Sequence, residues 1–170
     1  CGPRRRPGIP PKHLVLVTVG SLRADHLSCY GYQRATSAVP SDDAERALQR
    51  AMGIDDLARA GVLFANTYAP SGSTVASLAT LFSGRSPLET GVQDDRCCLS
   101  EDVASLPELL ARAGFHTTAF VTAPRIDLER ALGRGFDEFV AGASDPETML
   151  AACRWLERDF GDGQPVFLWL

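Results

Sequence analysis

Two adjacent hydroxyl residues, Ser73 and Thr74, have the types and the placement of residues that could do chemistry. They precede a run of small and apolar residues that predicts a helix over residues 74–83, which Gly84 ends. A hydroxyl at the first turn of a helix lies beside unpaired backbone N–H groups, so it is well placed to meet an anion. The alternative is that Ser73 or Thr74 caps the helix, which is a common use of both residue types.

A second group of polar residues follows the first apolar run of the chain. Residues 14–19 (LVLVTV) are rich in β-branched side chains and predict a strand. Gly20 and Ser21 come directly after it, and Asp25 lies a few residues further on. Asp25 is the carboxylate near this predicted strand end, and a hydrogen-bonded structural role is the commoner use of such a residue.

The composition is that of a folded domain with a core of its own. The chain has 170 residues, of which 45% are hydrophobic and 22% are charged. A net charge of −4 and the lack of a basic stripe indicate that nucleic acid is not a partner. No apolar run reaches the roughly 18 residues that a membrane-spanning helix needs, so we expect no transmembrane segment.

The beginning of the chain differs from the rest in composition. Residues 1–12 contain four prolines and two glycines and predict a flexible, Pro/Arg-rich tether. Cys1 is either the lipid-carrying cysteine of a bacterial lipoprotein or simply the residue at an arbitrary boundary. A lipid anchor at Cys1 would place the protein outside the cytoplasm, in the periplasm or on a membrane.

The remaining cysteines show no metal-binding spacing such as C-x-x-C. Cys29 and Cys153 are expected to be small buried hydrophobes. The neighbours Cys97 and Cys98 could include a disulfide partner, but the sequence does not pair them.

Predicted strands and helices alternate after the tether. This alternation predicts an α/β fold with a mostly parallel sheet flanked by helices. Apolar runs predict strands over residues 14–19, 62–68, 117–121 and 166–170. Helical periodicity and terminal signals predict helices over residues 54–60, 74–83, 105–113 and 146–160.

Several motifs occur in a recognisable order. Residues 22–32 read L-R-x-D-x-L-x-C-Y-G-Y, residues 61–70 read G-V-x-F-x-N-x-Y-A-P, and residues 81–87 read L-x-S-G-R-x-P. In this order they resemble the sulfatase family, within the alkaline-phosphatase-like superfamily. The resemblance implies that residues 13–170 are the N-terminal part of a sulfatase-like domain, with the sheet truncated. Residues 37–50 stand where the family has a short link, and we interpret them as a surface insertion.

The resemblance implies a metal-dependent hydrolase of sulfuric esters. The family holds a divalent metal, calcium or magnesium, on aspartates at the end of the first strand, and the metal activates the nucleophile. Gly20 and Ser21 occupy those positions in this chain; glycine offers no ligand atom and the serine hydroxyl is neutral. Asp25 matches the Asp of the L-R-x-D scaffold, which indicates a structural role, and a role as a replacement metal ligand is the alternative. No intact set of metal ligands is therefore predicted.

The nucleophile motif is also altered. Thr74 lies at the nucleophile position, while Ala76 and Leu78 stand where formylglycine-using members have Pro and Arg. Threonine cannot become formylglycine, so this cofactor is not expected, but threonine nucleophiles occur in relatives that act on phosphate groups.

A later family motif, G-Y-x-T-x-x-x-G-K-W-H, supplies a lysine and a histidine that hold the transferred group. In this chain Thr122 stands for that lysine and Pro124 stands for that histidine. His116 falls on a variable position and is expected to be a surface residue at the start of a strand.

Two functions remain open. The chain is either a catalytically degenerate sulfatase relative that keeps the fold for binding or structure, or an active metal-dependent hydrolase or transferase. In the active case its partner would be a sulfate or phosphate ester, Thr74 would be the nucleophile, and residues beyond Leu170 would supply the missing ligands.

Overall fold

The structure is a computed structural model, and it describes residues 13–34, 53–122, 127–159 and 163–170. The chain divides into two compact units. The larger unit comprises residues 1–18 and 69–170, and the smaller unit comprises residues 19–68. The predicted tether at residues 1–12, with Cys1, lies outside the described residues, and so does the predicted insertion at residues 37–50.

The described part of the larger unit is built on a four-stranded parallel sheet. Its strands are β1 (His13–Leu16), β2 (His116–Val121), β3 (Glu138–Ala141) and β4 (Val166–Trp169), and their order across the sheet is β1-β4-β2-β3. Every pairing is parallel, with Val166 of β4 opposite His13 of β1 and His116 of β2. The expected α/β class with a mostly parallel sheet is confirmed.

Six α-helices occur in the described residues. They are α1 (Ile54–Ala60), α2 (Thr74–Ser83), α3 (Pro87–Thr90), α4 (Leu106–Arg112), α5 (Leu128–Leu132) and α6 (Asp145–Asp159). None of the helices in the described ranges is long and apolar enough to cross a membrane.

Helices cover both faces of the sheet, because successive side chains of a strand point in opposite directions. On β4, Phe167 and Trp169 pack into a core cluster with residues of α2 and α5. Val166 and Leu168 point the other way and pack against Trp155 of α6. β4 is buried along its whole length, as its continuous apolar run predicts.

The structure corrects two predicted strands. β1 ends at Leu16 instead of Val19, and it lies at the edge of the described sheet, where Val15 remains 50% exposed. Residues 62–68 form no strand, and Val62, Phe64 and Tyr68 are exposed. A β-branched and aromatic pattern predicts a strand only where a neighbouring strand pairs with it.

The described part of the smaller unit consists of two short 3₁₀-helices and α1. The 3₁₀-helices span Ala24–His26 and Ser28–Tyr30. The Cys29 N–H donates to Asp55 Oδ1 at 3.0 Å, and the Tyr30 hydroxyl donates to the Phe64 carbonyl at 2.9 Å. These bonds fasten the L-R-x-D-x-L-x-C-Y-G-Y segment to α1 and to the chain that follows it.

The cysteines are only partly as expected. Cys29 is half-buried, but Cys153 is exposed on α6, because it lies on the side of this helix that faces away from Trp155 and the sheet. Cys97 and Cys98 are free thiols.

Candidate functional site

The beginning of α2 carries the hydroxyls that the sequence singles out. Ser73 is the N-cap, and its Oγ accepts a hydrogen bond from the Ala76 N–H at 3.3 Å. Thr74 is the first residue of the helix, and its side chain is exposed. Of the two capping alternatives, the structure therefore gives the cap to Ser73. Within the described residues, the Thr74 hydroxyl has no hydrogen-bond partner.

A carboxylate from a distant part of the sequence completes this helix terminus. Asp95 Oδ1 accepts hydrogen bonds from the Ser73 hydroxyl at 2.7 Å and from the Val75 N–H at 2.9 Å. The Val75 N–H, followed by the Ser73 hydroxyl, holds the pKa of Asp95 below its ordinary value. The donors that a helix N-terminus offers to an anion are thus engaged by an anion of the chain itself.

Sequence inspection did not identify Asp95. It lies in the segment G-V-Q-D-D at residues 91–95, between α3 and α4. The pair of acidic residues after a helix-ending Gly91 was the available signal, but nothing local links it to α2. Only the packing of this loop across α2 brings the carboxylate to Ser73.

The other altered motif positions of α2 belong to the core. Ala76 has no exposed surface, and Leu78 is 9% exposed within the cluster that also contains Phe82 and Trp169. The positions at which formylglycine-using members carry Pro and Arg therefore hold apolar side chains in apolar surroundings. A guanidinium at position 78 would lose its hydration there.

The end of β1 carries no carboxylate. A Cβ added to Gly20 would meet no atom within 4 Å, so this position leaves room for a larger side chain. Ser21 has a φ of +60°, a left-handed conformation that costs a non-glycine residue on the order of 1 kcal/mol. Both residues are exposed.

Asp25 has its carboxylate engaged by its neighbours. Arg23 Nε donates to Asp25 Oδ1 at 2.9 Å, Arg23 Nη2 donates to Oδ2, and His26 Nδ1 lies 2.9 Å from Oδ1. The Arg23 guanidinium, followed by the His26 ring, holds the pKa of Asp25 well below its usual range. In the part of the chain that the structure describes, no group of three or more His, Cys, Asp or Glu residues could hold a metal ion.

Two described residues of the segment aligned with the family's lysine and histidine motif make contacts that hold the fold together. The Thr122 and Thr148 hydroxyls are hydrogen-bonded at 2.7 Å, which joins the end of β2 to α6. His116 lies at the start of β2, half-buried, with Nε2 3.4 Å from Glu138 Oε1 and its ring against Trp155. Pro124 lies outside the described residues.

The profile of the sulfatase family, described as Sulfatase, matches residues 12–155 of the sequence. The chain therefore belongs to the sulfatase family, as its motifs indicate. No curated protein matches the sequence.

Solved structures share the fold at low sequence identity. A protein in complex with its substrate, D-glucosamine-2-N,6-O-disulfate, has a TM-score of 0.68 and 18% identity, covering 92% of this chain and 33% of its own. The phosphonate monoester hydrolase of Agrobacterium radiobacter has a TM-score of 0.56 and 21% identity, covering 89% and 29%. The C-terminal periplasmic domain of EptC from Escherichia coli, in complex with Zn, has a TM-score of 0.58 and 18% identity, covering 94% and 43%.

These neighbours define the class of fold as alkaline-phosphatase-like. The chain spans between 29% and 43% of the length of these three structures. The first of these proteins binds a sulfated sugar, the second is a phosphonate monoester hydrolase and the third binds a zinc ion.

Proposed function

We propose that this chain is a catalytically degenerate sulfatase-family segment, which keeps the fold for binding or structure and does not itself hydrolyse esters. The observation that carries the proposal is the Asp95 carboxylate at the beginning of α2. It accepts from Ser73 and Val75, beside the nucleophile position Thr74. A sulfate or phosphate ester brought to Thr74 would meet the negative charge of Asp95, and the donors at this terminus would already be engaged.

The metal positions support the same proposal. Gly20 has no ligand atom, the Ser21 hydroxyl is neutral, and Asp25 is paired with Arg23 and His26. Calcium, a hard divalent cation, takes six to eight oxygen ligands, many of them from carboxylates. The described residues do not fit the calcium or magnesium ion that the family uses, so no step through such an ion is derived for them.

The nucleophile motif supports the proposal through its packing. Ala76 and Leu78 lie in the core, so the side chains there stabilise the domain and do not face a substrate. Threonine at position 74 also excludes formylglycine. An unactivated threonine hydroxyl is a weak nucleophile at neutral pH, and within the described residues no side chain forms a hydrogen bond with the Thr74 hydroxyl.

A second candidate function rests on the exposure of Thr74. Thr74 is the first residue of the ten-residue helix α2, and its hydroxyl has no hydrogen-bond partner in the described residues. From this position the hydroxyl could attack a phosphate or sulfate ester. In that case residues beyond Leu170 would supply the metal ligands, as the larger size of the solved neighbours allows. The partner would be a sulfate or phosphate ester, and the metal would be a divalent cation.

The domain boundaries and the cellular setting complete the proposal. Residues 13–170 would be the N-terminal part of a sulfatase-like domain, preceded by a tether at residues 1–12 with a lipid on Cys1. This would place the protein outside the cytoplasm, and one of the solved neighbours is itself described as a periplasmic domain. No nucleic-acid partner is proposed, in keeping with the net charge of −4.

Hydrolysis of chromogenic aryl sulfates and aryl phosphates tests the two candidates against each other. The chain is assayed with added calcium, magnesium, manganese or zinc, and Thr74→Ala is compared with the parent. If the segment is catalytically degenerate, the parent and Thr74→Ala should both hydrolyse the esters at the background rate with every metal. Ser77→Ala, which removes a hydroxyl three residues away on α2, is the matched control. Turnover that is lost in Thr74→Ala and kept in Ser77→Ala would refute degeneracy and establish the threonine nucleophile.

A further inference from the structure

A pocket of about 330 Å³ lies in the larger unit, separate from Ser73 and Asp95. The segment of residues 98–105 forms one side of it, and residues from α5 and the turn after α5 form the other. The polar side chains that line it include Ser100, Glu101, Arg130 and Arg134. The pocket therefore brings two arginine side chains to one concave surface.

Arg134 is held rigidly in this wall. Its Nη2 donates to the carbonyl oxygens of Ser100 at 3.1 Å and Val103 at 2.5 Å. Its Nε lies 3.0 Å from Glu108 Oε1, an ion pair that adds to the two hydrogen bonds of Nη2. Of its five N–H donors, the two on Nη1 and the buried one on Nε make no hydrogen bond within the described residues.

The Arg130 side chain makes fewer hydrogen bonds than that of Arg134. It makes one side-chain hydrogen bond within the described residues, from Nη2 to the Arg96 carbonyl at 3.2 Å. This bond anchors one end of the fork and leaves four N–H donors for a ligand or for water. The planar forks of two arginines match the oxygens of sulfate and phosphate, to which guanidinium groups bind through paired charge-assisted hydrogen bonds.

We propose that this pocket binds a small tetrahedral oxyanion group, sulfate or phosphate, with Arg130 as the principal ligand and Arg134 as a preorganised second cation. Glu101, which also lines the pocket, sets the choice between the two. Its carboxylate repels the fully ionised sulfate, but it can accept a hydrogen bond from a protonated phosphate oxygen. This site is independent of the proposed degeneracy at Thr74, since it needs no metal and no nucleophile.

Calorimetric titration at low ionic strength tests the site, with sodium sulfate and sodium phosphate as separate probes and sodium chloride for comparison. The chain is expected to bind at least one of the two oxyanions and to give no saturable signal with chloride. The Arg130→Gln variant should weaken binding about tenfold, the order expected when one charge-assisted hydrogen bond is lost. Arg112→Gln removes an exposed arginine in the last turn of α4, outside the pocket lining, and should bind like the parent.

The two oxyanions also test the role given to Glu101 in the choice between sulfate and phosphate. Phosphate binding that strengthens as the pH falls through the second ionisation of phosphate would support the role given to Glu101. Sulfate binding that strengthens in Glu101→Gln would support the same role, because this variant removes the carboxylate that repels sulfate. Absence of binding by both anions, or equal binding by Arg130→Gln and the parent, would overturn the proposal.

Discussion

Asp95 Oδ1 lies 2.7 Å from the hydroxyl of Ser73, although the two residues are separated by 22 positions in the sequence. The same oxygen accepts from the Val75 N–H. A loop carboxylate therefore completes the terminus of the helix that carries the family's nucleophile position. The contact stabilises the helix and, at the same time, puts a negative charge where an anionic ester would have to approach.

Removal of the Asp95 carboxylate should destabilise the larger unit. Asp95→Ala deletes the acceptor for two donors at the N-terminus of α2, and caps of this kind contribute about 1 kcal/mol. Because Asp95 is exposed to solvent, we expect the loss of unfolding free energy to be smaller than this value. Urea denaturation at neutral pH measures the loss, and Asp102→Ala, an exposed acidic residue of the following turn, serves as the control. Equal urea midpoints for Asp95→Ala and the parent would show that the contact does not contribute to stability.

The same carboxylate should make stability depend on pH. Its pKa is lower in the folded chain than in the unfolded chain, so its contribution is present above the unfolded value of about 3.9. The contribution is lost as the pH falls through the folded pKa. The difference in unfolding free energy between the parent and Asp95→Asn should therefore be largest near neutral pH and shrink in acid. A difference that stays constant down to strongly acidic pH would contradict the assignment.

Divalent metal ions should bind this chain weakly. Gly20 and Ser21 provide no carboxylate, and the carboxylate of Asp25 is already paired with Arg23. Calorimetric titration with calcium and with magnesium should give no dissociation constant below the millimolar range typical of weak sites, on the order of 10⁻³ M. A low-micromolar site that Asp25→Ala abolishes would instead make Asp25 a ligand.

Restoration of the family's arginine at position 78 should damage the core. Leu78→Arg places a charge in the cluster around Phe82, where burial without a partner costs roughly 3 kcal/mol or more. Leu81→Arg is a matched change on the same helix at a side chain that is 50% exposed, and it should change stability by less than about 0.5 kcal/mol. Thermal or urea unfolding compares the two variants. If both are equally stable, position 78 opens towards solvent and the interpretation of the core is wrong.

The Thr18 hydroxyl should matter for the packing of Trp169. Trp169 is 1% exposed, and its Nε1 donates to Thr18 Oγ1 at 3.0 Å. Thr18→Val keeps the shape but leaves this indole N–H unsatisfied, at a cost of about 1–3 kcal/mol. Thr18→Ser retains the hydroxyl and should lose much less. The unfolding free energies of the three proteins test this role of the hydroxyl. Equal losses in the two variants would contradict it, because only Thr18→Val removes the hydroxyl.

Elements whose ends are marked locally could be predicted from the sequence. The bounds of α1 and α2 agree with the predicted residues 54–60 and 74–83, because Gly61 and Gly84 stop the helices and Ser73 caps the second. The buried strand β4 was predictable because its apolar run is continuous. The strand β3 and the short helix α5 were not predicted, since their brief patterns acquire meaning only beside β2 and α2.

The sequence by itself determined the family and the departures from it, because residue identities at motif positions are read directly: Gly20, Thr74, Ala76 and Leu78. Only the tertiary structure decided the surroundings of these altered residues. It buried Ala76 and Leu78, put β1 at the edge of the described sheet, and brought Asp95 to Ser73. The physical reason is range: caps and periodicity act over a few residues, whereas burial and carboxylate contacts depend on segments that meet only when the chain has folded.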